Sequence, residues 1–143
     1  MKKEQYDLQN ISVAVAMLQK LMQKYSVIAL KGPLGAGKTT LVRALLKACG
    51  VGGVISSPTF TYVNIYTSDD GKKFYHFDLY RITNVQEFIS AGFDEYLQDD
   101  QATVLIEWPE IIAPLLQSDK VCFVELEYIS EDKRSLTVSR ENR

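Results

Sequence analysis

Apolar residues at positions 11, 15, 18, 22 and 25, with polar residues between them, mark one helical face over Ile11–Tyr25. Asn10 is the expected N-cap of that helix. Val27-Ile28-Ala29-Leu30 is a continuous apolar run, the pattern of a parallel strand buried on both faces. Lys31–Gly37 reads as a glycine-punctuated loop, followed by a helix over Lys38–Cys49 with Leu41, Leu45 and Ala48 on one stripe. Gly50 stops this helix and Gly52-Gly53 continues the turn. Residues 59–67 and 73–80 are rich in β-branched and aromatic types around Ser68-Asp69-Asp70-Gly71-Lys72, which predicts an antiparallel hairpin. Thr83-Asn84-Val85-Gln86 has capping-box spacing and opens a short helix ending near Gly92. Val104–Ile106 is a second buried strand, and Pro109 opens a helix through about Leu116. Val121–Tyr128 and Leu136–Ser139 form a closing hairpin around Ser130–Lys133. The pattern predicts an α/β protein in which residues 1–143 make one domain.

Composition adds exclusions. With 46% hydrophobic and 24% charged residues, the 143-residue chain is neither disordered, collagenous nor a coiled coil. Sixteen basic against eighteen acidic residues give a net charge of −2, without the basic excess that holds nucleic acid unaided. The pairs Lys72-Lys73 and Lys133-Arg134 read as solvated turn residues. Cys49 and Cys122 match no metal-ligand spacing and are expected to be buried, reduced thiols. Glu4 and Asp7 interrupt the region where a signal peptide would carry its apolar core, and the aliphatic runs are far too short to span a membrane. A cytoplasmic protein with no membrane partner is expected.

Gly32-Pro33-Leu34-Gly35-Ala36-Gly37-Lys38-Thr39 fits G-x-x-x-x-G-K-[ST] between a strand and a helix. Glycines let the backbone wrap so that its N–H groups point at phosphate oxygens, and the helix dipole favours the negative charge. In such a loop Lys38 bridges the β- and γ-phosphates, the Thr39 hydroxyl ligates Mg²⁺, and Thr40 reaches the α-phosphate. Glu107 ends a buried strand, at the sheet edge where open α/β folds bind ligands. It is either a carboxylate for the metal and the attacking water or an acid that caps the Pro109 helix. In His76-Phe77-Asp78-Leu79-Tyr80-Arg81 a period of two puts His76, Asp78 and Tyr80 on one polar face, which makes Asp78 a second candidate. His76 taken alone reads as a hydrogen-bonded structural residue. Ser57-Pro58-Thr59-Phe60-Thr61 is either a γ-phosphate-sensing loop or an ordinary turn.

In this order and spacing, GPLGAGKTTL at 32–41, SPTFT at 57–61, HFDLYR at 76–81 and IEWPE at 106–110 resemble the TsaE (YjeE-type) ATPase family of bacterial tRNA threonylcarbamoyladenosine synthesis. The resemblance implies a P-loop NTPase with a mostly parallel central sheet, to which the predicted hairpins are antiparallel additions. It implies ATP and Mg²⁺ as cofactors, hydrolysis that is weak alone, and TsaD and TsaB as protein partners. Transfer RNA is then engaged only through that complex. By residue, Leu34, Gly35, Ala36, Gly37, Lys38, Thr39 and Thr40 hold ATP, while Thr39, Glu107 and Asp78 serve the metal. Lys38, Asp78 and Glu107 belong to the hydrolytic centre, Thr59 and Thr61 to a switch-like loop. Trp108 lines the nucleotide site and Arg134 is a basic position that reaches it. Two positions depart from the family pattern. Pro33 stands where Asp is usual and removes one N–H donor, and Ile11 stands where Thr is usual, on the adenine side. The alternative, a small-molecule P-loop kinase, lacks an arginine-rich lid, since the arginines are scattered at 43, 81, 134, 140 and 143. A GTPase would need an N-K-x-D string, and none occurs.

Overall fold

A computed structural model describes residues 2–53, 55 and 62–139. In chain order these form β1 (Lys2–Asp7), α1 (Ile11–Leu21), β2 (Val27–Lys31), α2 (Lys38–Ala48), β3 (Val63–Thr67), β4 (Lys73–Asp78), α3 (Val85–Ser90), β5 (Ala102–Glu107), β6 (Val121–Tyr128) and β7 (Lys133–Ser139). Two 3₁₀ segments, Phe93–Gln98 and Pro109–Leu115, flank β5 in sequence.

All seven strands join one sheet in the order β1-β7-β6-β2-β5-β4-β3. The inner four, β6, β2, β5 and β4, are mutually parallel. The outer pairings β4–β3, β6–β7 and β7–β1 are antiparallel. A mixed sheet with a parallel centre and antiparallel additions is what the sequence and the resemblance together implied. The continuous apolar runs are explained by what covers each face. Ile28, Leu30, Leu105 and Val124 pack with Leu18 of α1 and Leu41, Leu45 and Leu46 of α2. Val27, Ala29, Val104, Ile106 and Phe123 face the other way, onto Phe88 of α3 and Leu97 and Ile112 of the 3₁₀ segments. Burying each such leucine, isoleucine or phenylalanine contributes about 1.5–3 kcal/mol.

Several boundaries differ from expectation. β1 was unforeseen; it is an edge strand of largely polar sequence in which Tyr6 is buried, and it pairs with β7. The α1 helix stops at Leu21, four residues early, in a turn where the Tyr25 N–H donates to the Leu21 carbonyl. Asn10 does precede α1, but its side chain accepts from the Asp7 N–H at 2.6 Å rather than capping the helix. β3 begins at Val63 and β4 ends at Asp78; residues 59–61 lie outside the described residues. The cap of α3 is Asn84, which accepts from the Glu87 N–H at 2.9 Å, while the Glu87 carboxylate accepts from Thr83. The capping box therefore sits one residue later than Thr83–Gln86. Pro109 opens a 3₁₀ segment, not an α-helix, because Pro114 lies inside it and Ile112 departs from helical angles.

Gly32, where β2 turns into the loop, has φ +150°, and a Cβ there would lie 2.7 Å from the Leu126 carbonyl oxygen of β6. The obstacle is backbone in a paired strand, so it cannot rotate away. Gly32→Ala should destabilise the fold by about 2–4 kcal/mol and lower the melting temperature by roughly 8–15 °C. Thermal denaturation checks this; an unchanged melting point would mean that β6 yields at Leu126.

Candidate nucleotide-binding site

The parallel strands β2, β4 and β5 all end at one edge of the sheet, and each end delivers a polar group. β2 runs into the glycine loop, β4 ends at Asp78 and β5 at Glu107. Glu107 is in register with Leu30 of β2 and with Asp78 of β4, so it sits between the other two. Over this edge opens a cavity of about 530 Å³, lined by Pro33–Thr40, Asp78, Glu107, Trp108 and Arg134 among others. Open α/β sheets bind ligands at this position.

Gly37, at φ +92°, is the N-cap of α2, and no side chain caps that end. The first N–H groups of any helix lack a carbonyl one turn back. Here those of Lys38, Thr39 and Thr40 head the helix at the cavity wall. The dipole at this terminus adds to their attraction for an anion. Pro33 does lack an N–H, but its carbonyl accepts both from the Ala36 N–H at 3.1 Å and from Lys38 Nζ at 3.3 Å.

Lys38 is 5% exposed. Its ammonium also donates to the Gly32 carbonyl and lies 3.6 Å from the centre of the Trp108 ring. Burial pushes its pKa down from the usual lysine value, against the carboxylates of Glu107, Glu110 and Asp78, which favour the charge. Trp108 adopts φ +60°, uncommon for a non-glycine residue, and its ring meets Tyr80 at 5.1 Å between centroids.

The Thr39 hydroxyl lies 2.9 and 3.1 Å from the two carboxylate oxygens of Glu107. This contact joins the start of α2 to the end of β5, so the carboxylate faces the loop helix, and no side chain caps the Pro109 segment. His76 Nε2 lies 2.6 Å from Glu107 Oε2, with both side chains buried. Asp78 is half-buried, and burial raises its pKa above the usual carboxylate value. The Tyr80 N–H, which donates to Asp78, opposes that shift, the charge of Glu107 adds to it, and His76 and Lys38 oppose it. A hydroxyl and two carboxylates are hard oxygen donors of the type Mg²⁺ prefers. A dication would also relieve the repulsion between the carboxylates. The donor set of Thr39, Glu107 and Asp78 therefore fits such an ion.

Arg134 is not a solvated turn residue. Its guanidinium stacks on Tyr128 at 4.6 Å and donates to the carbonyls of Ser130 at 2.7 Å and Gly35 at 3.3 Å. It lines the cavity and braces the loop from the β7 side. Lys72, Lys73 and Lys133 are exposed as expected. Cys122 is buried and Cys49 only half-buried. Leu34 stands 75% exposed at the loop tip. Thr59 and Thr61 lie outside the described residues.

Of one further wall the sequence reading reached only Ile11. Tyr6, Asp7 and Leu8, at the end of β1, line the cavity with Ile11, Glu131 and Asp132. The Asp7 and Asn10 side chains each accept from the other's backbone N–H, which shapes the β1–α1 turn. The D-x-x-N spacing was the available signal. His76 was assigned a structural role, although its place on the Asp78 face pointed toward the site. No helix among the described residues is long and apolar enough to cross a membrane.

Residues 5–136 match the family model described as threonylcarbamoyl adenosine biosynthesis protein TsaE. The chain is 39% identical over 129 residues to a tRNA threonylcarbamoyladenosine biosynthesis protein TsaE of Aquifex aeolicus, covering 86% of this chain and 84% of that one. It is 35% identical over 129 residues to the protein of the same name from Haemophilus influenzae, covering 90% and 80%. The crystal structure of YdiB from Bacillus subtilis matches with a TM-score of 0.70 at 26% identity, over 99% of this chain and 87% of that one.

Proposed function

This chain belongs to the TsaE family, and from that membership we propose that it acts in tRNA threonylcarbamoyladenosine biosynthesis as an ATPase that binds and hydrolyses Mg-ATP. The observation that carries the reading is the contact of Thr39, first turn of the glycine-loop helix, with Glu107 at 2.9 and 3.1 Å, beside Lys38 and Asp78 in one cavity.

The backbone N–H groups at the start of α2 would hold the β- and γ-phosphates, and the Lys38 ammonium would exchange its loop carbonyls for phosphate oxygens. Thr39 and Glu107, with Asp78, would hold the Mg²⁺ ion, which when bound neutralises charge on the phosphates. Asp78 orients the attacking water, and the Trp108 ring closes the site on the Lys38 side. Arg134 holds the loop at Gly35 and supplies positive charge at the cavity wall. Little covalent chemistry falls to the protein in phosphoryl transfer; positioning and charge do most of it.

The useful output of so small a site is a conformation delivered to partners, here the TsaB–TsaD pair, with tRNA engaged through them. Net charge of −2 gives the chain no electrostatic hold on tRNA of its own. Hydrolysis by the isolated chain should be slow and should accelerate when the partner pair is added. If ATP strengthens assembly, reciprocity requires the partners to tighten ATP binding by the same factor. Titrating assembly with and without ATP, and ATP with and without partners, tests both halves. Independence of the two equilibria would overturn the regulatory reading and favour a separate enzyme with its own phosphate acceptor.

A further inference from the structure

His76 lies in the middle of β4, fully buried, with its neighbours Phe74 and Phe77 equally buried. As packing alone it is a poor choice for this position. Its Nδ1 has no hydrogen-bond partner among the described residues, and an unpaired buried polar atom opposes folding. What an imidazole supplies that phenylalanine or leucine cannot is the contact of Nε2 with Glu107 Oε2 at 2.6 Å.

An ionised carboxylate only accepts, so the proton of this hydrogen bond belongs to His76 Nε2. The donor comes from β4, the strand beside β5, so it holds the carboxylate of Glu107 from a neighbouring strand. Both oxygens then reach the Thr39 hydroxyl, at 2.9 and 3.1 Å. The nearby ammonium of Lys38 is a competing partner for that charge, yet it is held on the carbonyls of Gly32 and Pro33 and on the Trp108 ring. Without the donor from β4, the carboxylate would be free to turn to the ammonium.

We infer that His76 is a positioning residue for Glu107: it fixes the carboxylate toward Thr39, so that the two together present oxygen donors to the cation accompanying a nucleotide. The inference rests on the Mg-nucleotide reading of the cavity. Outer partners of this kind, when removed, lower metal affinity or activity by about 10–100-fold.

The test is calorimetric titration of the full chain with ADP, in excess Mg²⁺ and in chelator, for wild type, His76→Leu and His76→Gln. Leucine removes the donor; glutamine returns an N–H close to the Nε2 position. In wild type Mg²⁺ should strengthen ADP binding. In His76→Leu that Mg²⁺-dependent gain should shrink by about tenfold, with ADP affinity in chelator unchanged, and His76→Gln should restore most of it. A gain intact in His76→Leu overturns the inference. So does an equal loss in both variants, or an ADP affinity in chelator that falls in step. If wild type binds no ADP, or Mg²⁺ has no effect on it, the reading of the cavity fails and the inference falls with it. A second measurement needs no variant. His76 is the only histidine of the chain, so its imidazole ¹⁵N signals in the wild-type protein are assigned without ambiguity. They should report a proton on Nε2; a bare Nε2 would overturn the assignment.

Discussion

Replacing Lys38 with alanine should weaken Mg-ATP binding by about a hundredfold, close to 2.7 kcal/mol. A hydrogen bond to a charged group contributes about 1.5–3 kcal/mol, and a lysine that spans two phosphates makes more than one. The rest of the cradle survives the substitution, because backbone N–H groups at the start of α2 do not depend on the side chain. The protein should also keep its fold. Lys38 is nearly buried, but its ammonium rests on loop carbonyls and an indole ring, and no carboxylate is left unpaired by its removal. Trp108 supplies the measurement. It is the only tryptophan and its ring lies 3.6 Å from the Lys38 ammonium. Its emission should change when Mg-ATP draws the ammonium away in wild type and stay flat in Lys38→Ala at the same concentration. Calorimetry gives the affinity independently; unchanged affinity in the variant would sink the assignment of this loop as a phosphate cradle.

What the sequence disclosed about this site, and what it withheld, divides along a physical line. The glycine loop, Lys38 and Thr39 were legible because the chemistry is local: one strand end, one turn and one helix start hold all its parts. β2 and β5 were legible because both their faces are covered, which favours continuous apolar runs such as Val27–Leu30 and Val104–Ile106. β1 was not, because an edge strand carries few buried positions, and Lys2-Lys3-Glu4-Gln5 offers no hydrophobic alternation. Its absence from the expected topology hid one wall of the cavity.

The contacts that matter most were hidden for another reason. His76 and Glu107 are 31 residues apart and meet only because β4 and β5 pair in one particular parallel register. Thr39 and Glu107 are 68 apart, on a helix and a strand. Arg134 reaches Gly35 across 99 residues. No local periodicity encodes a parallel register, since the connecting segment is long and either offset buries apolar side chains. The strand end named Glu107 and the family resemblance named Arg134 as site residues; neither showed that one faces a buried imidazole and the other braces the loop. The positive φ of Trp108 was equally invisible, because it arises at the turn between β5 and the Pro109 segment.

Glu107→Gln should then separate binding from hydrolysis. Glutamine keeps the size of the side chain and one acceptor for the His76 N–H, and the Thr39 hydroxyl can turn to accept from the new amide. The fold should persist, which alanine would not secure, since it would strand a buried imidazole N–H and the Thr39 hydroxyl. What is lost is one negative charge opposite Lys38 and beside Asp78. Mg-ATP affinity should fall by about tenfold, the scale of a weakened metal ligand. Turnover at saturating Mg-ATP, with the partner pair present, should fall by about a hundredfold or more. The inequality follows from where charge moves. Interactions that hold the phosphates are already made in the ground state, whereas the metal and the attacking water meet their full electrostatic demand only at the transition state. Asp78→Asn should show the same ordering if Asp78 orients the water. Turnover measured at saturating nucleotide, with affinity from Trp108 emission, distinguishes the two effects in each variant. Should Glu107→Gln keep full partner-stimulated turnover, Glu107 is a buried structural acid tying β5 to α2, and the hydrolytic centre must be sought among the other residues of the cavity.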